Sequence, residues 1–106
     1  MFDDLAEQLH STAVAKGFWP EETDDIFIAK QCMMIVSEVT ELMEAIRKDK
    51  GEVEIAMETA DIFIRTLDLY AGLVEAGYTT VSLDYALQEK ANINKDRPQK
   101  HGVRLS

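Results

Sequence analysis

Two acidic pairs, Glu38/Glu41 and Glu58/Asp61, stand inside two otherwise apolar helical patterns, and they are the residues of this chain best suited to do chemistry. Each pair is spaced i,i+3, which puts its two carboxylates on one helix face about a turn apart. Between the pairs, Lys48-Asp49-Lys50-Gly51 reads as a turn, so the two helices are expected to fold back as an antiparallel hairpin with the pairs face to face. Four carboxylates then converge. At about 4 Å and an effective dielectric near 20, two like charges repel by roughly 4 kcal/mol, so such a cluster takes up protons or binds cations. A lone Glu or Asp is ordinarily just solvated. The recurrence of acids beside Val39, Leu42, Ala60 and Ile62, all expected in the core, favours a site instead, because buried carboxylates without partners are costly. Oxygen is the only donor, so the ion expected is Mg²⁺ or Mn²⁺ rather than zinc, haem or an iron–sulfur cluster. A di-iron bundle also gathers carboxylates, but it needs Glu-x-x-His pairs, and neither His10 nor His101 stands in one.

The elements that must position these acids follow from periodicity. Phe2, Leu5, Ala6, Leu9, Ala13 and Val14 recur at helical spacing and predict a first helix ending near Gly17, with a break at Gly17-Phe18-Trp19-Pro20. Thr23, Asp24 and Asp25 can cap a second helix that continues through Ile46. A third is expected over residues 52–76, closed by Gly77, and a fourth from Ser82 through Ala91. Residues 92–106 are polar, contain Pro98 and Gly102, and read as an irregular tail; Tyr78-Thr79-Thr80-Val81 is β-prone but isolated. The expectation is one all-α domain, residues 1–106. The second helix is apolar around much of its girth, more than the single stripe a monomer needs, which predicts a homodimer or homotetramer.

Composition narrows the partners. A net charge of -9 argues against a protein that grips nucleic acid by neutralising phosphates. The charge is uneven: Lys90, Lys95, Arg97, Lys100 and Arg104 outnumber the single acid Asp96 from residue 90 onward. An acidic body with a basic tail suits a small polyanion held through metal at one end and by cations at the other, and His101 in that tail is a candidate anion contact. Cys32 is the only cysteine, so no intrachain disulfide forms and a reducing compartment is expected. Met1-Phe2-Asp3-Asp4 has neither the basic start nor the apolar core of a signal peptide, and the apolar run at Cys32 is too short to span a bilayer. A cytoplasmic protein with no membrane partner is the expectation.

Several motifs occur together and in order: Lys16-Gly17-Phe18-Trp19, Ser37-Glu38-Val39-Thr40-Glu41 followed by Leu42-Met43-Glu44-Ala45, Glu58-Thr59-Ala60-Asp61-Ile62-Phe63-Ile64-Arg65, then Lys90, Asn94, Arg97-Pro98 and His101-Gly102. Together they resemble the short, phage- and mobile-element-type members of the MazG-like all-α nucleoside triphosphate pyrophosphohydrolases, over nearly the whole chain. The broader family opens its first motif with Glu, where this chain has Ser37, as the short subgroup does. The resemblance implies a four-helix bundle that assembles as an oligomer. It implies metal ligation by Glu38, Glu41, Glu58 and Asp61, phosphate contacts from Lys90 and Arg97, and a polar substrate contact from Asn94. The reaction implied is Mg²⁺-dependent cleavage of an NTP or dNTP between the α- and β-phosphates, with Glu38 or Glu41 orienting the water, Trp19 stacking on the base, and Arg65 pairing with Asp61 or touching phosphate. Lys30 and Glu44 are further candidates, Glu44 more as a solvated residue. The competing readings are a dUTP- or dCTP-specific hydrolase, a phosphoribosyl-ATP pyrophosphohydrolase relative, and a non-catalytic helical interaction module.

Overall fold

In a computed structural model that describes residues 1–97, the chain forms four α-helices: α1 (Phe2–Ala15), α2 (Asp25–Arg47), α3 (Glu52–Glu75) and α4 (Leu83–Lys95). There is no strand among the described residues. The β-prone segment after Gly77 finds no strand to pair with, and it runs as a connection pinned where the Tyr70 hydroxyl donates to the Val81 carbonyl at 2.6 Å. No described helix is long and apolar enough to cross a membrane.

Local chemistry sets the helix ends. Asp24 caps α2, its carboxylate accepting from the Phe27 N–H at 2.8 Å, and Ser82 caps α4 by accepting from Tyr85 N–H at 3.1 Å. At the end of α1 the backbone turns through Gly17 at φ +79°, which brings the Phe18 N–H to the Ala13 carbonyl at 3.0 Å and satisfies an orphan carbonyl. The α2–α3 turn uses Asp49 at φ +55° in the same way, with Lys50 N–H on the Ala45 carbonyl at 3.0 Å. The last helix runs to Lys95, further than its polar sequence suggests. A helix with no buried residue needs no apolar stripe, Lys95 suits the negative end of the helix dipole, and the chain must leave the helix before Pro98.

Packing is centred on α3, which lies between α1 and α2. The hairpin runs antiparallel: Glu38 meets Arg65, and Asp25 at the start of α2 accepts from the Tyr78 hydroxyl just past the end of α3. Phe2 meets Phe63 edge-on at 5.9 Å and His10 meets Asp68, so α1 runs in the direction of α3. Ala6, Ala45 and Leu67 are the buried apolar residues, a small core. Val39 and Ala60, expected inside, are exposed, and Leu42 and Ile62 are half-buried. With α1 packed on α3, many apolar residues of α2 and α3 stay exposed in a single chain.

The fourth helix does not complete a core; it is clasped to the start of α1 by reciprocal capping. Asp3 accepts from the N–H groups of Leu83 at 2.7 Å and Asp84 at 3.3 Å, while Asp84 accepts from those of Phe2 at 2.8 Å and Asp3 at 3.2 Å. The Met1 amino group, then these N–H groups, hold the Asp84 carboxyl far below the usual carboxylate range. Replacing Asp3 with Ala leaves the first N–H groups of α4 without their acceptor. Urea unfolding is expected to show a loss of about 1 kcal/mol, with hydrogen exchange of α4 speeding up before that of α3.

Candidate functional site

Glu38, Glu58 and Asp61 come together: each offers a carboxylate oxygen within 4.8 Å of the others, with Glu38 and Glu58 half-buried and Asp61 exposed. The hairpin sets this meeting, since Glu58 and Asp61 sit on the face of α3 that Glu38 of α2 opposes. Glu41 does not join the three. Glu41, a turn further along α2, is exposed and stays outside the 4.8 Å cluster, yet it is near enough for its charge to act on Glu58.

The cluster carries its own partial neutralisation. Arg65 donates from Nε to Glu38 Oε2 at 2.7 Å, across the hairpin rather than to Asp61 on its own helix. Glu58 has no such cation among the described residues. Its carboxyl is pushed above the usual range first by partial burial, then by a shared hydrogen bond with Glu54 one turn earlier, then by the charges of Glu54, Glu41 and Asp61. Glu44 stands apart, tied to Arg47 at 2.9 Å and Lys48 at 3.4 Å, and Lys30 is exposed.

Beside the cluster a cleft of ≈ 450 Å³ opens between α1 and the hairpin, lined among others by Lys16, Phe18, Glu38, Asp61, Arg65 and Asp68. Trp19 is not part of it. Its indole N–H donates to both Asp68 oxygens, at 3.0 and 3.2 Å, and its ring packs edge-on to His10 at 4.7 Å and against Phe27 at 5.1 Å. A Cβ on Gly72 would come within 2.7 Å of its ring carbons, so the indole lies directly on the α3 backbone. Trp19 lines a separate hollow of ≈ 590 Å³ together with His10, Glu21 and Glu75. Lys90, Asn94 and Arg97 are exposed on and just after α4, which packs on α1, and they do not line the acid-bearing cleft of their own chain. His101 lies outside the described residues.

Sequence reasoning passed over Asp68, Glu54 and the cleft contacts of Lys16 and Phe18. A signal for Asp68 existed: Asp61, Arg65 and Asp68 follow one another at i, i+4 and i+7, continuing the charged stripe through the apolar part of α3. Searches against protein-family models, curated proteins and solved structures found no match to this chain.

Because the folded Glu58 carboxyl binds its proton more tightly than an unfolded one, its contribution to stability is full below pH 4.5 and is lost as pH rises through the raised folded value. Thermal melts of metal-free protein are therefore expected to show wild type falling relative to Glu58→Gln as pH rises from 4.5 toward neutrality. Parallel curves would remove the assigned strain on Glu58.

Proposed function

We propose that the chain is a metal-dependent nucleoside triphosphate pyrophosphohydrolase that cleaves an NTP or dNTP between the α- and β-phosphates. The observation that carries this reading is the cluster of Glu38, Glu58 and Asp61 opening onto a cleft that also presents Lys16 and Arg65. Clefts that pair a hard-oxygen cluster with cations suit a polyphosphate, whose charge needs both a divalent ion and guanidinium or ammonium partners. The order of motifs resembling the MazG-like enzymes supports the same reading. Three carboxylates within 4.8 Å, without a nitrogen or sulfur donor, fit Mg²⁺ or Mn²⁺. When bound, that ion would supply charge neutralisation on the phosphates and acidify a coordinated water.

The chain's own groups do the rest. Glu38, Glu58 and Asp61 would hold the cation. Glu41, exposed beside them and in no ion pair among the described residues, accepts a proton from the attacking water and orients it. Arg65, which shares the cleft with Glu38 and Asp61, would hold phosphate oxygens with its guanidinium. Lys90, Asn94 and Arg97 are exposed and do not line their own cleft, so they would serve the triphosphate in a neighbouring subunit. The exposure of Met33, Val36, Met43 and Ile46 on α2 and of Val53, Met57 and Phe63 on α3 supports a homodimer or homotetramer built on the hairpin. A basic end of one subunit against the acidic cleft of the next is the pairing that charge favours.

Pyrophosphate release from a panel of NTPs and dNTPs with Mg²⁺ tests this reading, and folded protein inactive toward all of them would leave the helical interaction module instead. Asp61→Asn and Glu41→Gln are each expected to lower kcat by at least 100-fold, since metal holding and water activation both act in the transition state, while Arg97→Ala mainly raises KM. Mixing the inactive Asp61→Asn protein with Arg97→Ala should restore a wild-type KM in a fraction of sites if the tail acts across subunits. Mg²⁺ should raise the melting temperature of wild type more than that of Glu58→Gln.

A further inference from the structure

Phe18 is the aromatic residue of the acid-bearing cleft, and 66% of it is exposed although its backbone is fixed on both sides. Before it, the left-handed Gly17 ties the Phe18 N–H to the Ala13 carbonyl at 3.0 Å. After it, Trp19 is locked down: Asp68 takes the indole N–H, and the same carboxylate lies 2.8 Å from Nδ1 of His10, which is only 7% exposed. A solvent-facing ring on a backbone pinned from both sides needs little main-chain ordering to meet a flat ligand. Trp19 cannot serve that purpose in this arrangement. Its N–H is satisfied, its ring is stacked among His10, Phe27 and Gly72, and it faces the other hollow. Phe18 instead shares its cleft with Lys16, Asp61 and Arg65. From these positions we infer that Phe18 is the platform on which the base of the bound nucleotide stacks, and that Asp68 is the positioning residue that presents it, acting through Trp19. This rests on the triphosphate reading above: the phosphates occupy the charged end of the cleft and the base its aromatic end. Every base has a π-face, so a single phenyl platform favours broad acceptance of bases rather than strict choice of one.

The test separates base from phosphate. Calorimetric titration with a non-hydrolysable α,β-methylene deoxynucleoside triphosphate and with inorganic tripolyphosphate, both with Mg²⁺, should show Phe18→Ala weakening the nucleotide about tenfold and leaving tripolyphosphate unchanged. Asp68→Asn should weaken the nucleotide to a similar degree and shift the emission of Trp19, the only tryptophan, to longer wavelength. The double variant should be no worse than Phe18→Ala alone, because both changes remove one interaction. Should Asp68→Asn fail to fold by circular dichroism, Trp19→Phe, which removes only the N–H and part of the ring, carries the same binding expectation. If Phe18→Ala binds the nucleotide as wild type does while wild type releases pyrophosphate, the platform is overturned and the triphosphate reading stands. Equal weakening of nucleotide and tripolyphosphate also overturns stacking. A change of oligomeric state with unchanged affinities assigns Phe18 to contact between copies and overturns it too. Wild type that binds neither probe overturns both readings together.

Discussion

Packing α2 against α3 forces three carboxylates to within 4.8 Å of one another, and the repulsion among Glu38, Glu58 and Asp61 has to be balanced wherever this hairpin forms. Each acid is balanced differently. Glu38 takes Arg65 as a counterion, Asp61 keeps contact with water, and Glu58, crowded by Glu54, Glu41 and Asp61, holds its proton more tightly than usual. In the proposed metal-dependent reading, a divalent cation would answer all three at once.

Asp68 shows the opposite use of a carboxylate on the same helix. Seven residues after Asp61, it is enclosed by the His10 imidazole and the Trp19 indole N–H, and through them it fixes the loop from α1 to α2 onto α3. Charged stripe and aromatic lock thus share one face of α3, and Asp61, Arg65 and Asp68 line the same cleft. Phe18, next to the anchored Trp19, lines the acid-bearing cleft, as does Lys16 at the end of α1.

A core of Ala6, Ala45 and Leu67 is small beside the apolar surface left open on α2 and α3. Burying a large apolar side chain contributes about 1.5–3 kcal/mol, so Met33, Met43 and Met57 together represent more stabilisation than a single chain realises. Small close contacts, such as Trp19 on Gly72, hold the subunit together, while its bulkiest aliphatic residues remain free for another surface.

The sequence by itself determined the four helices, their caps at Asp24 and Ser82, the hairpin turn around Asp49 and Gly51, and the facing of Glu38 toward Glu58 and Asp61. These follow from periodicity and local hydrogen bonding, which act between residues a few positions apart. Which side chains stayed in the seam was decided by tertiary structure. Glu41 stayed exposed outside the cluster, Val39 and Ala60 came to solvent, Arg65 chose Glu38 over Asp61, and Trp19 went to Asp68 rather than to the cleft. Such outcomes depend on helix rotation and on partners 27 to 58 residues away in sequence, as for Arg65–Glu38 and His10–Asp68, and no local pattern encodes them.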